Sequence, residues 1–269
     1  MVRSTAKKCL PRPVNKLSRS IDRLSALPTE ILAILFKLAA EPGVSILYLS
    51  HVSHRFRALA VHTPSLWVNI CISKWGIRSK ELLALYLTRS QELPLNIALS
   101  FSSKQSHYYD DEESDDGWGS NDDDGEYLVV FRALLKALIP HVPRWRRLSI
   151  HLSTAKITFG TAMRFLETIQ APCLESFEID HTRSRSYSPD FAPLKRGAPS
   201  LSSVTLHGIG MCVGYPPLKS VKCLDIDTSD SGKSFDMSDL HYILARSSSL
   251  TRLTIGGSFD FDDECPVHM

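Results

Sequence analysis

Residues 27–67 read LPTEILAILFKLAAEPGVSILYLSHVSHRFRALAVHTPSLW, and the rest of the chain is organised around them. Pro28 stands where a helix can begin with its amide missing, and Glu30 supplies an acid to the first turn, where it suits the positive helix end. Apolar residues then recur at Leu27, Ile31, Ile34, Leu35 and Leu38, one broad face on a period of 3.6, until Glu41-Pro42-Gly43 stops the run. A second amphipathic run carries Leu47, Leu49, Val52, Phe56 and Leu59 and stops at Thr63-Pro64. Two or three helices this short cannot bury their apolar faces among themselves, so part of that surface needs a partner.

In order and spacing, Leu27-Pro28-x-Glu30-Ile31-Leu32, Val52-Ser53-x-x-Phe56-Arg57-Ala58-Leu59 and Pro64-x-Leu66-Trp67 resemble the F-box, the helical module that docks substrate receptors onto the Skp1 adaptor of cullin-type ubiquitin ligases. One departure is Phe56, where that family usually carries tryptophan; the exchange keeps an aromatic ring and loses the indole donor. The resemblance implies a contact face on Leu27, Pro28, Ile31 and Leu32, with Leu35, Leu49, Val52 and Leu59 either at the interface or in the module core.

Beyond Trp67 the pattern turns from helical to repeating. An apolar residue followed at +3 and +5 by two more occurs at Trp67/Ile70/Ile72, Pro94/Ile97/Leu99, Trp145/Leu148/Ile150, Leu174/Phe177/Ile179, Leu201/Val204/Leu206, Val221/Leu224/Ile226 and Leu250/Leu253/Ile255. The first positions lie 27, 51, 29, 27, 20 and 29 residues apart, and every gap but the second falls in the range of leucine-rich repeats. Helical patterns lie between strands over residues 77–88, 128–139, 161–169 and 238–245. One strand and one helix cannot make a core, whereas stacked neighbours build a continuous one, with the +3 and +5 residues inward. The expected fold is therefore α/β: a small helical F-box module followed by an irregular leucine-rich-repeat-like β/α solenoid, similar to large receptor families of mushroom-forming fungi. A plain α/β domain with a parallel sheet is the other architecture that strand and helix alternation allows. The asparagine that regular repeats place after the strand is absent; residues such as His207 and Asp227 stand there.

The long second gap holds ten acids between Asp110 and Glu126 and no base, with Gly117, Gly119 and Gly125 among them. This composition predicts a disordered acidic insertion over residues 103–126. Neither glycine frame fits a calcium loop, because Ser114, Ser120 and Phe131 fall where ligands are needed. Without these ten acids the formal charge of +2 would become +12. Residues 1–20 read as a mobile basic leader, residues 21–66 as the F-box, and residues 67–269 as the repeat region.

The composition, 43% hydrophobic and 22% charged, is that of a folded domain, and no apolar run reaches the roughly 18 residues of a membrane span. The basic N-terminus lacks an apolar signal core, and six cysteines without a C-x-x-C pair point away from zinc and from a disulfide framework. A cytoplasmic or nuclear protein with no cofactor and no metal is expected. Residues 227–234, DTSDSGKS, imitate a phosphate-binding loop, but Asp227 and Asp230 place carboxylates where backbone amides should cradle phosphate. No Gly-x-Ser-x-Gly elbow or cysteine-nucleophile signature appears, so no enzyme activity is expected.

The reading is a substrate-recognition subunit that binds a Skp1 homologue, and hence a cullin complex, through its F-box and a protein target through its repeats. The alternatives are an F-box scaffold acting outside the ligase and an α/β enzyme with an unrecognised site. Candidate target-binding residues, on the concave face beside the inward positions, are Arg147, Ser149, Ser176, Glu178, Ser203, Thr205, Asp225, Arg252 and Thr254. They lack the stacked Arg, Lys and aromatic side chains of a nucleic-acid groove. After Ile255 there is no room for a covering helix, so the chain looks truncated and its last strand is expected to be the least protected.

Overall fold

The computed structural model describes residues 24, 27–40, 46–73, 77–101, 122–152, 156–181, 192–208, 214–229 and 234–260. Two compact units divide between Leu66 and Trp67.

The first unit holds α1 (Thr29–Ala40), α2 (Ile46–Ser50), α3 (His54–Val61) and a 3-10 turn, Pro64–Leu66. Pro28 stands just before α1, and its carbonyl accepts from the Leu32 amide at 3.1 Å, so its missing N–H costs no helical bond. Ser53 caps α3, its hydroxyl accepting from the Phe56 amide at 3.1 Å, a cap that contributes about 1 kcal/mol. Leu32, Phe36, Ile46, Phe56, Leu59, Ala60 and Leu66 make the core. Phe36 and Phe56 meet edge to face with centroids 5.0 Å apart. Two arginines tie the helices together: Arg55 Nη2 donates to the Leu27 carbonyl at 2.6 Å and Arg57 Nε to the Ser50 carbonyl at 3.3 Å.

The second unit carries, among the described residues, a seven-stranded parallel sheet whose strands follow one another in sequence order: β1 (Asn69–Ile72), β2 (Leu95–Phe101), β3 (Trp145–Leu152), β4 (Ser176–Asp180), β5 (Ser203–His207), β6 (Cys223–Asp227) and β7 (Arg252–Gly256). Helix α4 (Ile77–Arg89) follows β1, α5 (Asp122–Leu138) follows β2, α6 (Lys156–Glu167) follows β3, and α7 (Met237–Arg246) follows β6. Mixed α/β architecture with a parallel sheet is thus observed, and the helical patterns read from sequence overlap α4 to α7, with α5 and α6 starting at Asp122 and Lys156, ahead of the patterns at 128 and 161.

The pairing register explains the repeat. Ile70, Ile97, Leu148, Phe177, Val204, Leu224 and Leu253 face one another strand by strand, as do Ile72, Leu99, Ile150, Ile179, Leu206, Ile226 and Ile255. Both rows are buried through β6 and half-buried in β7. Fully burying a side chain of this kind contributes about 1.5–3 kcal/mol, so the rows are the main cohesion of the sheet. Buried too are Leu83 and Leu87 of α4, Phe131, Leu134 and Leu138 of α5, Phe159 and Met163 of α6, and Ile243 of α7.

Two expectations are corrected. The second repeat begins at Leu95 and not at Pro94: buried Leu95 pairs with Trp145, the register shifts between Leu95 and Asn96, and exposed Pro94 has no N–H to give a ladder. The acidic insertion is shorter than residues 103–126, because α5 begins at Asp122 and takes in the last acids of the run. Acids are the residue type that a helix N-terminus favours, so composition alone does not separate a loop from a first turn. Residues 102–121 lie outside the described residues, as do the leader at 1–20 and residues 230–233 of the phosphate-loop imitation.

Candidate interaction sites

In the first unit the apolar stripe read from periodicity is the face turned outward. Leu32 and Phe36 are 1% and 3% exposed, whereas Ile31, Ile34, Leu35 and Leu38 are 44%, 55%, 38% and 63% exposed. Helix α1 is apolar on two sides, and the module's own helices can cover only one. Of the residues expected to contact an adaptor, Pro28, Ile31, Leu35 and Val52 are exposed and Leu27 and Leu49 half-buried. Leu32 is corrected from contact face to core, because at 1% exposure its side chain offers no surface to a partner. Leu59, for which both places were open, is also buried. Ile34 and Leu38, which the sequence reading left out of the contact set, are the most exposed apolar side chains of α1.

The second candidate is the open face of the sheet, opposite the buried rows. Strands β4, β5 and β6 alternate half-buried and buried residues throughout, so every second side chain points to this face. All nine residues assigned to it from sequence lie there: Arg147, Ser149, Ser176, Glu178, Ser203, Thr205, Asp225, Arg252 and Thr254 occupy two adjacent rows across β3 to β7. A third row was missed, His151, Asp180, His207 and Asp227, which the register also sets side by side. Continuing the alternation two residues past each +4 position would have found it.

Hydrogen bonds orient this face. Ser149 donates its hydroxyl proton to Glu178 Oε2 at 2.9 Å, and its oxygen lies 2.7 Å from His151 Nε2, while His151 Nδ1 lies 3.4 Å from Asp180 Oδ2. The trio has the composition of a nucleophile relay, with Glu178 as an added acceptor at the serine. The single Ser149 proton lies within reach of both Glu178 Oε2 and His151 Nε2, so the carboxylate competes with the imidazole for it. Asp227 Oδ1 accepts from the Ser229 hydroxyl at 2.6 Å and the Ser229 amide at 2.9 Å. These two bonds, with a smaller contribution from His207, hold the Asp227 carboxyl below its ordinary range. They also close the turn after β6 without the asparagine of regular repeats.

Among the described residues no group of three His, Cys, Asp or Glu side chains could hold a metal ion, and no helix is long and apolar enough to cross a membrane. Residues 24–73 match the family model described as F-box-like. The match ends just past β1, so among the described residues it takes in α1, α2 and α3 and the first strand of the sheet. No curated protein matches the chain.

Proposed function

We propose that the chain is the substrate-recognition subunit of a Skp1-cullin-F-box ubiquitin ligase. The F-box-like module docks a Skp1 homologue, and the sheet region, a leucine-rich-repeat-like solenoid of the kind found in fungal receptors, binds a protein target on its open face. The chain itself is not an enzyme, and it works in the cytoplasm or nucleus. The observation that carries the reading is the outward stripe Ile31, Ile34, Leu35 and Leu38 on a module matched to the F-box-like family. A contiguous apolar face that its own unit leaves uncovered is what a helix-in-groove partner requires.

The test is co-purification with a Skp1 homologue. Ile34→Asp with Leu38→Asp puts two charges where apolar contact is needed and should cost about 2 kcal/mol or more, at least a thirtyfold loss of capture. Both sites are exposed, so the melting temperature should hardly move. Wild-type capture by this variant would refute the docking face. Leu32→Ala is the contrasting control: it should lower module stability by about 2–4 kcal/mol, because its side chain is core.

A further inference from the structure

Strand β4 presents Glu178 and Asp180 on the open face, and β6 presents Asp225 and Asp227. The register sets Glu178 opposite Thr205 and Thr205 opposite Asp225, and likewise Asp180, His207 and Asp227. The two carboxylate columns therefore stand two strand spacings apart, about 9.6 Å, on either side of β5. Thr205 and His207 stand between the columns in the two acid-bearing rows, with Ser203 one row away. Ser149 and Ser229 hold one carboxylate of each column in place from outside the channel. No Lys or Arg among the described residues lies in the two rows that carry the acids; the face's arginines, Arg147 and Arg252, stand one row away on β3 and β7. They lie four spacings apart, about 19 Å, at the corners. The channel is thus rich in carboxylates and held in shape; its Glu178–Asp225 row carries no cationic side chain, whereas His151, 3.4 Å from Asp180, and His207 stand in the Asp180–Asp227 row.

We infer that the open face takes an extended basic segment of its target, with two Lys or Arg side chains three residues apart reaching the β4 and β6 carboxylates. Charge complementarity selects the partner's sign, and the column spacing selects its register. In an extended polyproline II run every third residue faces the same side, about 9.3 Å apart, which matches the channel. The same field, bracketed rather than filled by the two arginines, repels the phosphates of a nucleic acid. This inference rests on the reading that the open face is the target surface.

The full chain, co-expressed with a Skp1 homologue, is titrated into fluorescent peptides and followed by anisotropy at about 50 and 150 mM salt. One peptide places two arginines three residues apart in a proline-rich background, a second places them side by side, and a third carries glutamates instead. The first should bind, the second more weakly, and the third not at all. Glu178→Gln with Asp180→Asn, or Asp225→Asn alone, keeps the acceptor oxygens and removes charge from one column while leaving the Asp227 turn intact; each should weaken the first peptide at least about tenfold with little change in melting temperature. Equal binding of basic and acidic peptides, unchanged binding by both variants, no binding, or tight binding of duplex DNA would overturn the inference. Adaptor capture, measured on the same samples, separates the two readings. Capture without peptide binding sinks the channel alone. Peptide binding with capture untouched by Ile34→Asp and Leu38→Asp sinks the docking face alone.

Discussion

His181, at the end of β4, is 3% exposed and stacks on Phe159 with ring centroids 4.3 Å apart, and its Nδ1 lies 3.0 Å from the Leu152 carbonyl. Burial pushes its pKa down, opposed by that hydrogen bond and by Asp180. The unfolded chain therefore takes up the proton first. Above the ordinary histidine range the group contributes nothing to pH dependence; as the pH falls below about 6.5 the sheet unit loses stability, until the folded form titrates too. His181→Phe should flatten the fall in melting temperature between about pH 6.5 and 5. Parallel slopes for both proteins would show that His181 does not titrate on unfolding. Gly257 shows a second constraint of this size: its φ is 112°, and an added Cβ would run into the Thr228 hydroxyl. Gly257→Ala should therefore destabilise the turn after β7 by about 1–3 kcal/mol, read as a lower melting temperature.

Among elements, β7 differs most from its neighbours. It pairs with β6 on one side among the described residues, and its inward Leu253 and Ile255 are only half-buried, whereas Leu148 and Ile150 of β3 are fully so. Amides at Leu253 and Ile255 should exchange with solvent faster than those at Leu148 and Ile150; equal protection would mean that β7 is covered by a segment outside the described residues. The strands were legible because period-two alternation and the +3, +5 spacing both follow from a sheet with one dry face, and the helices because each carries an apolar face at 3.6. Pro94 was misread because an apolar residue count cannot see that the ladder needs an N–H. The direction of α1 was hidden for a deeper reason. A helix with apolar residues on two sides has no single inward face, so periodicity picked the wider stripe, Ile31 to Leu38, and left Leu32 and Phe36 to be settled by what α2 and α3 could reach. The third open-face row was missed because the strands run one step longer than the repeat suggested.

At the scale of the whole chain, charge is divided unevenly along the sequence. Deleting residues 103–121 takes out six acids and one lysine and moves the formal net charge from +2 to +7. Such a variant should bind duplex DNA at about 50 mM salt more strongly than the wild type and lose most of that binding by about 150 mM. Tight, salt-resistant binding would place nucleic acid among the partners. The sheet itself divides its residues in another way. Along β4, Phe177 and Ile179 are buried while Ser176, Glu178 and Asp180 are half-buried on the other face, and β5 and β6 repeat the alternation. Each strand is thus a line of text in which alternate letters spell the architecture and the others are free. The free letters can be rewritten without touching the buried rows, apart from pairs such as Ser149 and Glu178 that answer each other across strands, so a lineage could change what such a surface recognises far faster than it could change the scaffold.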